Sequence, residues 1–311
     1  MENKNRDIID IMAELRKEIS KQWFLLSTKG GEEKFLQMFT IHKSLFHYTT
    51  VPGLFGIIEN ECFWLTNIQY MNDLSEIRYA KNLIKDMLAQ LSLKDKYVDG
   101  FSKYLNRVEE FNIEYNNYYI ACFTHNGDSL PMWTMYGKDC GVAIEIDLTS
   151  GYHFVFGPNC FFEDMLYEES IFYRFIENVV DIYYAEYTKL INCKHIDECI
   201  VDGVMNELCA NIVWYAHNLK NGNFSHESET RLFYRYKNDY TIKYRIKNNF
   251  IVPYVEMPPR QLNKGKKLPI KSIVVGPGEE QDLVRYSIDE FMKSKGYDIE
   301  VRLSTIPYRS R

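Results

Sequence analysis

The chain lacks any excess of positive charge: 43 acidic against 37 basic residues leave a formal net charge of -6 over 311 residues. No global field therefore draws duplex phosphate, which excludes a general DNA-binding role and leaves only a local patch such as Lys264, Lys266 and Lys267. The chain also lacks any apolar run near the roughly 18 residues that a membrane-spanning helix needs. Its opening, MENKNRDIIDIMAELRKEI, is charged throughout and unlike a signal peptide. A soluble, cytoplasmic protein with no membrane partner is expected. Its seven cysteines are odd in number, scattered and without a CxxC, so reduced thiols rather than a disulfide framework are expected. The nearest approach to a metal cluster, Cys193-x-His195-x3-Cys199, has no second ligand pair, and no metal is expected. Also missing are GxSxG, HExxH, GxxxxGK[ST] and GxGxxG, so common hydrolase, zincin, P-loop and dinucleotide-fold chemistries have no support. The glycine-rich GPGEE (276–280) reads as a tight turn and a helix start.

What the chain does have is bulk and rings. With 46% hydrophobic content it can bury one large core, and one main domain with helical additions is the simplest fit. Aromatic residues make up 15%, mostly 24 Tyr and 19 Phe, which suit clefts as well as cores. Residues 6–26 place Ile8, Ile9, Met12, Leu15, Ile19 and Trp23 at helical spacing, which predicts an amphipathic helix. SLFHYTT, CFWLTN, NNYYIACFT, CGVAIEIDL, ESETRLFYRYK, NFIVPYVEM and PIKSIVVGP read as strands, with FFEDMLYEE as a further candidate. VPGLFGIIEN, YMNDLSEIRYAKNLIKDMLAQL, residues 94–112, 171–219 with a break near 192–198, and GEEQDLVRYSIDEFMKSKG read as helices. Strands and helices mix without strict βαβ alternation, so the fold class is α+β. Residues 1–40 form an N-terminal helical extension, and 41–311 form one domain with a helical insertion over 171–220.

Four clusters place polar or ionisable groups beside aromatics at strand ends or helix starts, where clefts form. They are Phe46-His47-Tyr48-Thr49, Tyr70-Met71-Asn72-Asp73-x-x-Glu76, Met132-Trp133-x-x-Tyr136-Gly137 and Glu227-Ser228-Glu229-Thr230-Arg231. If the last is a strand, Glu227 and Glu229 share a face, and two carboxylates beside Arg231 suit acid, base or hydroxyl-orienting work. On spacing alone a solvated strand face is the simpler account, and a lone His47 is more often a satisfied core histidine. The co-occurrence of the four clusters favours a site.

From about Leu45 to Arg309 the order of LFHYTTVPGLFGIIENECFWLTN, YMNDLSE, YIACFTHNGDSLPMWTMYG, GVAIEID, ESETRLF, IKSIVVGP and STIPYR resembles a large, mostly bacterial family named only as domain of unknown function twenty-nine seventy-one. The opening strand ending in His-Tyr-Thr, the short helix and the aromatic strand after it resemble the first third of ADP-ribosyltransferases. The resemblance implies a central mixed or antiparallel split sheet, NAD as substrate, and a toxin or antiviral defence setting. It implies that His47 bonds the adenosine ribose while the backbone of Tyr48 and Thr49 holds the nicotinamide amide. Glu229, or else Glu227, would bind the ribose 2′-hydroxyl and stabilise the cationic transition state. Tyr70 or Tyr136 would stack on nicotinamide, Trp133 would wall the pocket, and Arg231 would flank the glutamates. Asn72, Asp73 and Glu76 have no clear counterpart and are expected to bind the acceptor or cap the helix. The ExE spacing belongs to enzymes that open with Arg rather than His, so the chain mixes two patterns. The leading expectation is an ADP-ribosyltransferase or NAD glycohydrolase; the alternative is a nucleotide- or protein-sensing module in the same pocket. The acceptor, a protein or a nucleic acid, and the oligomeric state are left open.

Overall fold

A computed structural model describes residues 8–27, 44–71, 74–97, 100–107, 118–137, 140–149, 156, 160–193, 197–237, 239–247, 249–258 and 267–307, with backbone alone at 23–25, 27 and 74–77. The chain divides into two compact units, each assembled from three segments.

The first unit comprises Met1–Met38, Asp73–Glu114 and Leu166–Gly222 and is helical. It holds α1 (Ile8–Ser27), α3 (Leu74–Ser92), α4 (Ser102–Asn106), α5 (Glu169–Ile191) and α6 (Glu198–Ala216). Helix α1 buries Ile11, Leu15 and Ile19, spaced by three or four residues, against a core that includes Phe172, Phe175, Tyr183 and Leu208. The stripe differs from the expected one at two places: Ile9 is 69% exposed, and Ile11, which the expected spacing left out, is buried, while Ile8 packs on the core as expected. The proposed helix over 94–112 reduces to α4 among the described residues. Helix α6 opens at Asp197, whose carboxylate accepts from the Cys199 N–H at 2.9 Å, satisfying a first-turn donor.

The second unit comprises Phe39–Asn72, Tyr115–Met165 and Asn223–Arg311 and carries a ten-stranded sheet. Its strands are β1 (Ser44–Thr49), β2 (Phe63–Asn67), β3 (Tyr118–Thr124), β4 (Val142–Asp147), β5 (Cys160–Asp164), β6 (Glu229–Arg235), β7 (Lys243–Lys247), β8 (Phe250–Met257), β9 (Ile270–Val275) and β10 (Glu300–Leu303). Nine of these follow segments that read as strands, the ninth, β10, from the closing YDIEVRLSTIPYR, while β7 was not read from the sequence. Helices α2 (Val51–Asn60) and α7 (Gln281–Ser294) bury Leu54, Ile57, Ile58, Ile288 and Met292 in the main core of this unit. The pairing is antiparallel throughout, save β9 with β10, which α7 connects as a parallel crossover.

The sheet runs β10-β9-β4-β1-β3-β2-β8-β7, with β6 also on β3 and β5 on β6. Strand β3 is therefore the branch point. One edge pairs with β6 along its whole length, Tyr118↔Arg235 to Thr124↔Glu229. The other edge is shared: β1 meets it at Phe46↔Thr124, and β2 meets it at Thr66↔Ile120 and Asn67↔Tyr119. Between those contacts the sheet is split. The α+β class and the mostly antiparallel open sheet agree with the expectation from the sequence.

Candidate functional site

A cleft of about 370 Å3 lies at this split. Residues directly opposite one another on paired strands share a sheet face, and alternate residues repeat it. Through the registers Thr66↔Ile120, Cys122↔Arg231, Thr124↔Glu229 and Thr66↔Tyr254, one face presents Trp64, Thr66, Cys122 and Glu229. Arg245 and Lys247 join that face through Lys243↔Tyr254 and Arg245↔Val252.

His47 follows the single β1–β3 pairing at Phe46, where β1 leaves β3. Its Nδ1 lies 2.8 Å from the carbonyl oxygen of Cys122, in the stretch of β3 that neither β1 nor β2 pairs. A carbonyl only accepts, so Nδ1 carries the hydrogen and Nε2 of the neutral ring is an acceptor. Burial pushes the His47 pKa down; the Cys122 hydrogen bond opposes this and the charge of Arg245 adds to it. Phe63 and Phe123 hold the ring, with centroids at 5.5 Å and 5.3 Å. Tyr48 serves the frame: its hydroxyl donates to the Asn126 carbonyl and accepts from the Ser129 N–H, each at 3.0 Å. Thr49 ends β1, and the chain turns at once into α2. There Thr50 caps the helix by accepting from the Gly53 N–H at 3.3 Å. A Cβ on Gly53 would lie 2.1 Å from Thr49 Oγ1, so glycine lets the helix start against the strand end.

The acidic wall departs from the expected geometry. Glu227 closes a 3-10 segment, Gly222–Glu227, and Ser228 turns the chain at φ 42, so the strand begins only at Glu229. Same-face alternation therefore does not relate the two carboxylates, yet both line the cleft. Glu227 is 3% exposed; its carbonyl accepts from Thr124 Oγ1 at 2.7 Å and its Oε1 from the Tyr136 hydroxyl at 3.2 Å. Glu229 is 5% exposed and forms a two-point ion pair with Arg231, Nε to Oε1 at 2.9 Å and Nη2 to Oε2 at 3.0 Å.

Of the other residues singled out in the sequence, Tyr136 lines the cleft. Trp133 is buried behind it, its ring 4.5 Å from that of Tyr48. Trp133 Nε1 donates to Asp128 at 2.8 Å, and Asp128 also accepts from the Thr305 N–H at 3.0 Å and from Ser304 Oγ. Burial alone would raise the Asp128 pKa, but these hydrogen bonds together hold it below the usual carboxylate range. The final STIP segment is thus tied to the loop that carries Trp133. Arg231 acts through Glu229, and Tyr70 is exposed and does not line the cleft. Asn72 and Asp73 lie outside the described residues, as does the side chain of Glu76.

The basic wall escaped the sequence reading. Arg245 and Lys247 line the cleft from β7. Arg245 Nη2 donates to Thr66 Oγ1 at 2.7 Å, and the guanidinium lies over the rings of Trp64 and Tyr254 at 5.2 Å and 5.5 Å. Desolvation lowers the pKa of Arg245; it lowers that of Lys247 too, with Arg245 as the next cause. The cleft therefore offers carboxylates near Thr124 and cations near Thr66. Thr66 pairs with Ile120, which is four residues from Thr124 on β3, roughly 13 Å at strand rise. Among the described residues, no group of three or more His, Cys, Asp or Glu side chains is placed to hold a metal ion.

The family described as Protein of unknown function (DUF2971) is matched over residues 132–232. The match supports the resemblance to that family read from the sequence. It contains Tyr136, Glu227, Glu229 and Arg231 and leaves out His47 and β7. No curated protein and no solved structure matches the chain. No described helix is long and apolar enough to cross a membrane.

Proposed function

We propose that the cleft binds NAD and cleaves the bond between nicotinamide and ribose, passing ADP-ribose to an acceptor or to water. The observation that carries the reading is the convergence of His47, Tyr136, Glu227 and Glu229 on one cleft at the split of the sheet. In this reading the anomeric carbon loses neutral nicotinamide, which takes the bonding pair, and positive charge grows on the ribose. A buried carboxylate stabilises that charge more in the transition state than in the ground state. Glu229 and Glu227 supply the anion and the acceptor for the 2′-hydroxyl, while Nε2 of neutral His47 accepts from a hydroxyl of the second ribose. The incoming hydroxyl or water attacks the anomeric carbon and releases its proton, completing the exchange.

One observation favours a second reading, a binding module without turnover: Arg231 already balances the charge of Glu229. Incubation of the protein with NAD, with and without cell extract, separates the two. Free nicotinamide without an adduct means hydrolysis, and nicotinamide with a labelled adduct means transfer. NAD-induced thermal stabilisation with no nicotinamide release means the module and ends the enzymatic reading.

A further inference from the structure

Arg245 has an unusual balance of contacts for a half-buried guanidinium. Among the described residues its one hydrogen bond goes to the neutral hydroxyl of Thr66, no carboxylate forms an ion pair with it, and its Nε is buried without an acceptor. A guanidinium has five donors in a rigid fork, and shielding them from water without a counter-charge is costly. Two aromatic rings fix the side chain, so it does not swing out to solvent at no cost. Lys247 lies two residues on along the same face, roughly 7 Å away at strand rise, and brings a second cation to the same cleft. A guanidinium such as that of Arg245, kept in a locally unfavourable state beside a cavity, points to a ligand that completes it.

We propose that Arg245 and Lys247 form a subsite for the diphosphate of a nucleotide seated in the cleft, with Thr66 fixing the guanidinium. Two neighbouring cations match two linked phosphates, and the planar fork of Arg245 suits paired contacts to phosphate oxygens. The lowered pKa of His47 agrees with this arrangement, since a neutral ring beside Arg245 avoids a third positive charge. The identity of the nucleotide as NAD rests on the reading above; the diphosphate subsite rests on Arg245, Lys247 and the side chains that hold Arg245.

The test is calorimetric titration of the full chain with ADP, with adenosine and with inorganic pyrophosphate, for wild type, Arg245→Gln and Lys247→Gln. ADP and pyrophosphate affinity should fall by about tenfold or more in Arg245→Gln, the size expected for a lost charge-assisted contact, while adenosine binding stays within twofold. If Arg245→Gln does not fold, by circular dichroism, Lys247→Gln carries the same comparison. Unchanged ADP affinity in a folded variant, or equal losses for ADP and adenosine, overturns the subsite. A 12-nucleotide single strand that competes with ADP and binds far more tightly overturns the nucleotide assignment in favour of nucleic-acid phosphate. Nicotinamide release is followed in parallel. Arg245-dependent ADP binding without release keeps the subsite and removes the NAD-cleavage reading. Release with a KM unaffected by Arg245→Gln does the reverse.

Discussion

Arg231 grips both carboxylate oxygens of Glu229 from two residues along the same strand, and both side chains are about 5% exposed. Removing one member of such a pair leaves a buried charge unmatched. Glu229→Gln should therefore cost about 3–5 kcal/mol of stability, and the double variant Glu229→Gln/Arg231→Met should recover much of it. Urea denaturation of the three proteins checks this; equal stability of Glu229→Gln and wild type would remove the pair from any structural role.

Glu227→Gln gives the cleaner reading of chemistry. Its amide oxygen still accepts from the Tyr136 hydroxyl, so the fold should hold, while the anion is gone. Nicotinamide release should drop by about 100-fold or more, the scale of losing one electrostatic stabiliser of a transition state. A rate equal to wild type in a stably folded Glu227→Gln would eliminate Glu227 as the acting carboxylate.

Acid should loosen the second unit through His47. Its folded pKa is depressed, so its contribution is complete above the ordinary value near 6.5 and shrinks as pH falls from there towards the folded value. The slope is at most about 1.4 kcal/mol per pH unit. Wild type should lose more stability than His47→Gln between pH 7.5 and pH 5.5, measured by urea midpoint. Parallel losses would show that this ring does not titrate on unfolding.

How much of this was legible in the sequence depends on where each signal lay. Strand β4 announced itself because VAIEID is buried on both faces and rich in Val, Ala and Ile, with Glu145 as its buried polar exception. Strand β7 reads KYRIK with its pattern inverted: Tyr244 and Ile246 face outwards at 66% and 82% exposure, while Arg245 and Lys247 turn to the cleft. An expectation of polar residues outside and apolar residues inside passes over such a strand. Its signal was the regular spacing of three cations, Lys243, Arg245 and Lys247. Glu227 and Glu229 were found as a pair for a reason that did not survive, since the left-handed Ser228 separates turn from strand. Backbone geometry of that kind is invisible to a count of alternating positions.

The crowding around Gly141 allows a prediction at a distance from any charge. A Cβ there would lie 2.0 Å from the Gly137 carbonyl oxygen and 2.2 Å from its Cα, backbone atoms with little room to move. Gly141→Ala should destabilise by about 1–3 kcal/mol or more through overpacking, loosening the Trp133–Gly137 turn that carries Tyr136. A shift in tryptophan fluorescence together with a lower urea midpoint is the expected result; an unchanged midpoint would mean the turn yields freely.

The branching of the sheet at β3 also sets when the cleft can exist during synthesis. His125, just after β3, and Thr230, in β6, touch across 105 residues of chain. Closing a loop of that length costs about 4 kcal/mol of entropy in a flexible chain. Helices α5 and α6 lie inside that loop, and once folded they shorten the tether that β6 must bring back. On a ribosome, His47 and Cys122 emerge well before either glutamate, with an edge of β3 unclaimed in the meantime. The acidic wall is added to the site late, and β7, with its two cations, later still.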